Sequence, residues 1–145
     1  MPTFEQTIDV AAPLEEAFLY VADFRTATEW DPGIVQSRRV NNGPIGKGAT
    51  YDVTAVFRGN RAPFRYELVE YEENRRLLFH AAGAKARSTD ELRFEAAGDG
   101  TRIAYRAVLT MKGLYRFAEP FLGRTLDTMG ARALAGLKAK LDSSR

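Results

Sequence analysis

"TFEQTIDVAAPLEEAFLYVADFRTATEWDPGIVQSRRV", residues 3–40, changes its hydrophobic period twice, and the places where it changes decide the fold. The first eight residues alternate Phe4, Ile8 and Val10 against Thr3, Glu5, Thr7 and Asp9, the two-residue period of a strand with one buried face. Pro13 then marks a helix start, with Glu15 and Glu16 in the first turn, where carboxylates suit the positive end of the helix dipole. Leu14, Ala17, Phe18 and Val21 make its apolar stripe. Asp23 is placed to cap a second short helix through "FRTATEW", because its carboxylate can accept an N–H bond from the following turn. Asp31-Pro32-Gly33 ends that helix, and "IVQSRRV" returns to strand.

From residue 34 to residue 111 the chain stays strand-like. "IVQSRRV", "ATYDVTAVF", "PFRYELVEYEE", "RRLLFHAA", "KARSTDELRFEAA" and "TRIAYRAVLTM" are divided by turn-forming segments, of which Gly98-Asp99-Gly100 is the kind that joins antiparallel neighbours directly. Six strands in succession leave no room for crossover helices, so the sheet is expected to be antiparallel. After Gly113 the period becomes helical: Leu122, Leu126, Met129, Ala133, Leu137 and Leu141 share a face, with Arg124, Thr128, Arg132 and Lys138 away from it. One long terminal helix therefore covers one sheet. Pro120 should break or kink this helix near its start, which sets Leu114 to Phe121 apart as a flap.

With 145 residues the chain fits a single domain, 1–145, able to bury a core without disulfide or metal staples. Cysteine is absent, which excludes disulfides and thiolate chemistry and suits a reducing compartment, the cytoplasm. No run approaches the length needed to span a bilayer, so stable membrane insertion is not expected. The 21 basic and 19 acidic side chains are interleaved, with Arg58, Arg61 and Arg65 among Glu67, Glu70 and Glu72. That pattern reads as a solvated mixed-charge sheet face and not as a nucleic-acid footprint.

The order strand, two short helices, six strands, long helix, together with "VAAPLEEAFLYVADFRTATEWDPGIVQSRRV" and "GDGTRIAYRAVLTMKG", resembles the START-like (SRPBCC) superfamily. Within it, the chain is most similar to the polyketide cyclase/dehydrase and lipid transport branch. The resemblance covers essentially the whole chain and implies an α+β helix-grip fold: a bent seven-stranded antiparallel sheet around the C-terminal helix, with an apolar cavity between them. It specifies no activity, because such families include lipid carriers, hormone receptors and aromatase/cyclases.

The alternation on each strand predicts the cavity wall. Tyr51, Val53, Ala55 and Phe57 face inward on strand three, Phe64, Tyr66 and Leu68 on strand four, and Leu77, Phe79 and Ala81 on strand five. Strand seven adds Ile103, Tyr105, Ala107 and Leu109, and strand six brings Ser88, Asp90, Leu92 and Phe94 to one face. A buried hydroxyl without a partner costs about 1–3 kcal/mol, so each inward tyrosine needs a neighbour, a water or a ligand. Polar groups at one end of an apolar slot are the layout of a small-molecule site. The candidate ligand contacts are Trp30, Tyr51, Val53, Phe57, Tyr66, Phe79, Asp90, Tyr105, Phe121, Leu126 and Met129. Trp30 with Phe24 is placed to cover the mouth, either as a core-edge plug or as a ligand contact. Asp23 and Asp31 read as a cap and a turn residue. Gly123 and Gly130 either leave room for a ligand or allow close helix–sheet contact.

Other chemistries are thinly supplied. His80 is the only histidine and alternates away from the inward set, so neither a histidine metal site nor a Ser88–His80–Asp90 triad is expected. "GPIGKGA" lacks the spacing of a phosphate-binding loop. No metal or cofactor is anticipated, and no catalytic residue can be named. The function expected first is binding or transport of a hydrophobic small molecule (lipid, quinone or polyketide-like) by a monomer or homodimer. The alternative is a polyketide cyclase/dehydratase using the cavity tyrosines. A protein-interaction module would need an exposed apolar patch, and the pattern shows none.

Overall fold

Seven strands form one antiparallel sheet in the order β1-β7-β6-β5-β4-β3-β2. They are β1 (Thr3–Val10), β2 (Ile34–Arg39), β3 (Thr50–Phe57), β4 (Asn60–Glu72), β5 (Arg76–Gly83), β6 (Ala86–Ala97) and β7 (Gly100–Met111). Helix α1 (Leu14–Ala22), a 3-10 turn (Phe24–Thr26) and α2 (Ala27–Trp30) separate β1 from β2, and a 3-10 segment (Gly113–Phe121) leads into α3 (Gly123–Ser143). These coordinates are a computed structural model, which describes residues 1–143. Ser144 and Arg145, part of the expected 1–145 domain, lie outside the described residues. The architecture is the α+β helix grip that the sequence order implies.

Each connection has a local cause. Consecutive strands from β2 to β7 pair with their sequence neighbours, so the sheet is built from hairpins, and Gly98 supplies the left-handed φ of +61° that the β6–β7 turn requires. Register shifts at Ile34/Gln36 and at Leu68/Glu70 insert bulges, which bend a sheet and raise its local twist. The closing pair is not local: β1 lies beside β7, with Phe4 opposite Ala107 and Ile8 opposite Ile103. Pro13 precedes α1 with extended backbone, and Asp23 accepts from the Arg25 N–H at 3.2 Å, so both helix starts occur where the sequence places them.

Helix α3 lies along the concave face. Its buried residues are Gly130, Ala133, Leu134, Leu137 and Leu141, the stripe expected from the heptad-like spacing with Leu134 and Gly130 added. At Gly130 a Cβ would stand 2.4 Å from the Phe4 ring, so this glycine serves close helix–sheet contact and does not open space for a ligand. The far end of α3 is tied to the start of the chain: Ala12 N–H donates to the Leu141 carbonyl at 3.1 Å and Ala11 N–H to Asp142 Oδ1 at 2.8 Å. Beneath α1, Phe18 packs edge-on against Tyr71 and Phe94, with ring centroids 5.2 and 5.1 Å apart.

One buried polar contact locks this end. Thr101 has no exposed surface, and its Oγ1–H donates to the Ala12 carbonyl at 2.8 Å. Thr101→Val keeps the shape but removes the donor, and is expected to cost about 1–2 kcal/mol. A lowered urea midpoint with unchanged slope is the expected readout. An unchanged midpoint would show that the Ala12 carbonyl finds another donor.

The convex face carries the mixed charges as expected. Arg38 and Arg65 pair with Asp52, Arg102 with Asp9, Arg106 with Glu5, and Arg76 with Glu70, Glu72 and Glu91. Two expectations change at the 3-10 segment. Its Leu114, Phe117 and Phe121 are 82%, 79% and 76% exposed, so the protein does present an apolar surface patch, and Phe121 lies outside the cavity it was expected to line. The cause is local geometry: 3-10 winding eclipses side chains three apart, which aligns Leu114, Phe117 and Pro120 on a ridge invisible to a search for helix or strand periods.

Candidate functional site: a slot between the sheet and the terminal helix

Burial falls in the same direction along the inward-facing rows of β3, β4 and β5 and along α3. At one end Leu68, Leu77, Phe79, Ile103, Leu134 and Leu137 have no exposed surface at all. Towards the other end Ala55, Phe57, Phe64, Tyr66, Gly83, Leu109, Met111, Leu126 and Met129 are only half-buried. The concave face is therefore a sealed core at one end and an open slot at the other, with α3 as its roof.

Register sets the neighbours of Asp90. Phe79, Asp90, Ala107 and Phe4 stand opposite one another across four strands, and Tyr66, Ala81 and Ser88 across three. The small side chains Ala81, Ser88 and Ala107 thus surround Asp90 on the concave face. Tyr66 and Tyr105 lie on the same face and pack against the core. Both lie deep in the fold, since burial pushes each phenol well above its usual pKa, yet both retain accessible surface.

Asp90 is the polar centre. It is 8% exposed, and its carboxylate accepts hydrogen bonds from the Ser88 hydroxyl and, at 3.2 Å, from the Tyr105 hydroxyl. Burial raises its pKa, against the pull of those two donors. A second carboxyl approaches from the α2–β2 turn: Asp31 accepts from the Gly33 N–H at 2.8 Å, and burial, with a smaller contribution from the Asp90 charge, raises its pKa to about 6. Tyr66 senses both carboxyls electrostatically, and its hydroxyl makes no hydrogen bond to any described residue. The slot thus holds two phenols and two carboxyls inclined to keep their protons, with one phenol free to bond a guest.

The residues singled out from sequence divide into two groups. Tyr66, Asp90 and Tyr105 come together at the closed end of the slot, and Phe57, Leu126 and Met129 line its open part. Tyr51, Val53, Phe79 and Trp30 do not line it, having 0%, 2%, 0% and 6% of their surface exposed. The reason is Phe24. Its ring stacks on Tyr66 at 4.5 Å and packs on Phe79 at 4.9 Å and Tyr51 at 6.0 Å, filling the space these residues would otherwise have faced. The Tyr51 hydroxyl faces the Phe24 backbone without a hydrogen bond of good geometry. Trp30 is a core plug: its indole N–H reaches Thr26 Oγ1 at 3.4 Å, and α3 rests on its carbonyl at Gly136.

Residues 1–142 match the family described as polyketide cyclase/dehydrase and lipid transport. The chain belongs to that family. Solved structures agree in fold. The Zhui aromatase/cyclase from Streptomyces sp. R1128 superposes with a TM-score of 0.82 at 12% identity, over 96% of this chain and 92% of that one. A protein from Thermus thermophilus gives 0.82 at 17%, over 97% of each chain. A START superfamily protein from Mycobacterium smegmatis gives 0.73 at 21%, over 96% of this chain and 98% of that one. No curated protein sequence matches at a significant level. Family and fold fit hydrophobic ligand binding or polyketide cyclase-like activity.

In this polyketide cyclase/dehydrase and lipid transport family member, sequence reasoning misses two contributors. Asp31 reads as a turn residue because its backbone role is complete in itself, and nothing in "WDPG" signals that the same carboxyl reaches towards Asp90. Phe24 is expected at the mouth, whereas the 3-10 turn drives its ring inward against Tyr66. The position of His80 agrees with the sequence reading: it is exposed on the opposite face from Ser88 and Asp90. Among the described residues no helix is long and apolar enough to cross a membrane.

Proposed function

We propose that the protein binds a hydrophobic small molecule of lipid, quinone or polyketide type in the slot, with its apolar body along Phe57, Leu126 and Met129 and a carbonyl or hydroxyl group against Tyr66 and Asp90. The observation that carries this reading is the Tyr66 hydroxyl, which has no hydrogen-bond partner among the described residues and stands on a half-buried apolar face beside the buried Asp90. A guest carbonyl or hydroxyl can take the place of the water that such a hydroxyl otherwise binds. Apolar burial of about 25 cal/mol per Å² supplies the affinity, and the polar cluster supplies orientation. A single domain acting as a monomer or homodimer in the cytoplasm suits such a carrier. Native mass spectrometry of the purified protein, followed by denaturing extraction, tests it. A near-stoichiometric apolar adduct is expected; an apo mass that persists when apolar ligands are offered would overturn it.

A second reading, a cyclase or dehydratase, is favoured by one observation, the pair Asp31 and Asp90. Two carboxyls whose pKa values are raised by burial, Asp31 to about 6, with a phenol that feels both charges, suit proton transfer to and from a bound polyketone. Tyr66→Phe separates the readings. A carrier is expected to lose no more than about threefold in affinity, whereas an enzyme using the hydroxyl loses turnover by more than about tenfold with binding largely kept.

A further inference from the structure

Several arginines have no carboxylate partner among the described residues, and three of them converge at one end of the molecule. Arg58, Arg124 and Arg132 form no ion pair with a described residue, and all three line one groove of about 450 Å³ with Thr125, Thr128, Pro32, Gly33, Val56, Phe57 and Met129. The sequence pattern puts Arg58 on the solvated sheet face. It instead ends β3 in a left-handed conformation, φ 51°, with its guanidinium 5.5 Å from the Phe57 ring centroid. Other arginines without a carboxylate partner among the described residues do not line the groove: Arg61, Arg75, Arg87 and Arg116 are exposed, and Arg39 donates to Asn41 and to the Gly43 and Pro44 carbonyls.

The groove is continuous with the slot, because Phe57 and Met129 are walls of both. Its chemistry differs. Three guanidiniums, which present fixed forks of donors suited to carboxylate and phosphate oxygens, line it with two threonine hydroxyls: Arg124 and Thr125 lie in the first turn of α3, where the helix dipole adds positive potential, Thr128 and Arg132 lie further along the same helix, and Arg58 follows β3. Of the neighbouring carboxyls, Asp31 accepts from the Gly33 N–H, and Asp127 on α3 is exposed and does not line the groove. No lining residue is acidic.

We infer that the groove is the seat for an anionic head group, carboxylate or phosphate, of an amphipathic ligand whose apolar part enters the slot. This rests on the reading of the slot as the ligand site and narrows it to acids with an apolar tail. The tail passes between Phe57 and Met129, and the head remains at the mouth, where guanidiniums stay hydrated and no charge is taken into the core.

Isothermal titration calorimetry with dodecanoate, dodecyl phosphate and 1-dodecanol tests it. The expected result is that at least one acid binds roughly tenfold or more tightly than the alcohol, and that the advantage shrinks in high salt. The tighter of the two acids identifies the head group. In Arg58→Gln/Arg132→Gln the ratio of acid to alcohol affinity falls towards one, whereas in Arg87→Gln, outside the groove, the ratio is kept. Equal affinity for acids and alcohol overturns the inference and leaves the slot as an apolar site. Failure of all three probes to bind overturns both.

Discussion

Gly136→Ala is expected to destabilise the protein by about 2–3 kcal/mol, lowering its melting temperature by roughly 5–10 °C. Helix propensity alone predicts the opposite sign, because alanine inside a helix is favoured over glycine by about 1 kcal/mol. Here the new Cβ would lie 1.9 Å from the Trp30 carbonyl oxygen and 2.9 Å from its carbon. That neighbour is backbone and cannot swing aside, so α2 and α3 must part and take Trp30 with them. At Gly130 the obstacle is the Phe4 ring, at 2.4 Å, which can tilt, and the cost should be smaller. At Gly123 a Cβ meets nothing within 4 Å, and alanine should be neutral or slightly stabilising. Thermal denaturation of the three variants checks the order. Wild-type stability in Gly136→Ala would mean that the contact between the two helices is looser than described.

Stability should be greater at pH 5 than at pH 7.5, by about 1 kcal/mol, which reverses the habit of proteins rich in surface ion pairs. Asp31 has a folded pKa of about 6, raised from 3.8 chiefly by burial, and Asp90 is raised for the same reason. Below about pH 3 both carboxyls are protonated in folded and unfolded chains alike. As pH rises from about 3 to 6 the unfolded chain ionises freely while the folded one resists, so stability is lost, and above the folded pKa the loss is complete. Asp23 and Glu91, lowered by the guanidiniums of Arg25 and Arg76, act in the opposite sense, but their contribution is lost only as pH falls below the usual carboxylate range. Asp31→Asn keeps an acceptor for the Gly33 N–H and removes the charge. Its urea midpoint should therefore change less between pH 5 and 7.5 than that of the wild type, and exceed it at pH 7.5. A wild-type midpoint that rises with pH across this window would place both carboxyls in water.

How far the sequence can be read follows from what each signal encodes. Alternation assigns the inward residues named on β3 to β7, since a pleated strand leaves a side chain only two faces, but it misses Tyr71, which the bulge at Leu68/Glu70 turns inward against Phe18. It cannot say how far along the slot each residue sits. Val53 and Phe57 share a face, yet one is sealed and the other half-open, because that difference is set by α3 and Phe24 arriving from distant parts of the chain. Asp90 is legible because a carboxyl on an apolar face breaks the pattern. Asp31 breaks none, and only the folded α2–β2 turn brings it near Asp90. The arginine groove is hidden for a similar reason: Arg58 and Arg132 are separated by most of two hairpins and half a helix, and their lack of partners is visible only in three dimensions.

The pairing of β1 with β7 also fixes the order in which the molecule can be assembled. Thr3 lies opposite Val108, so the first strand has no partner until nearly the whole sheet exists, while β2 to β7 close by short loops. Phe4 and Ile8 wait through that interval, and α3 has no floor beneath Gly130 until they arrive. The least local pairing of the sheet is thus the one on which the helix rests, so the roof of the concave face depends on contacts between the two ends of the chain.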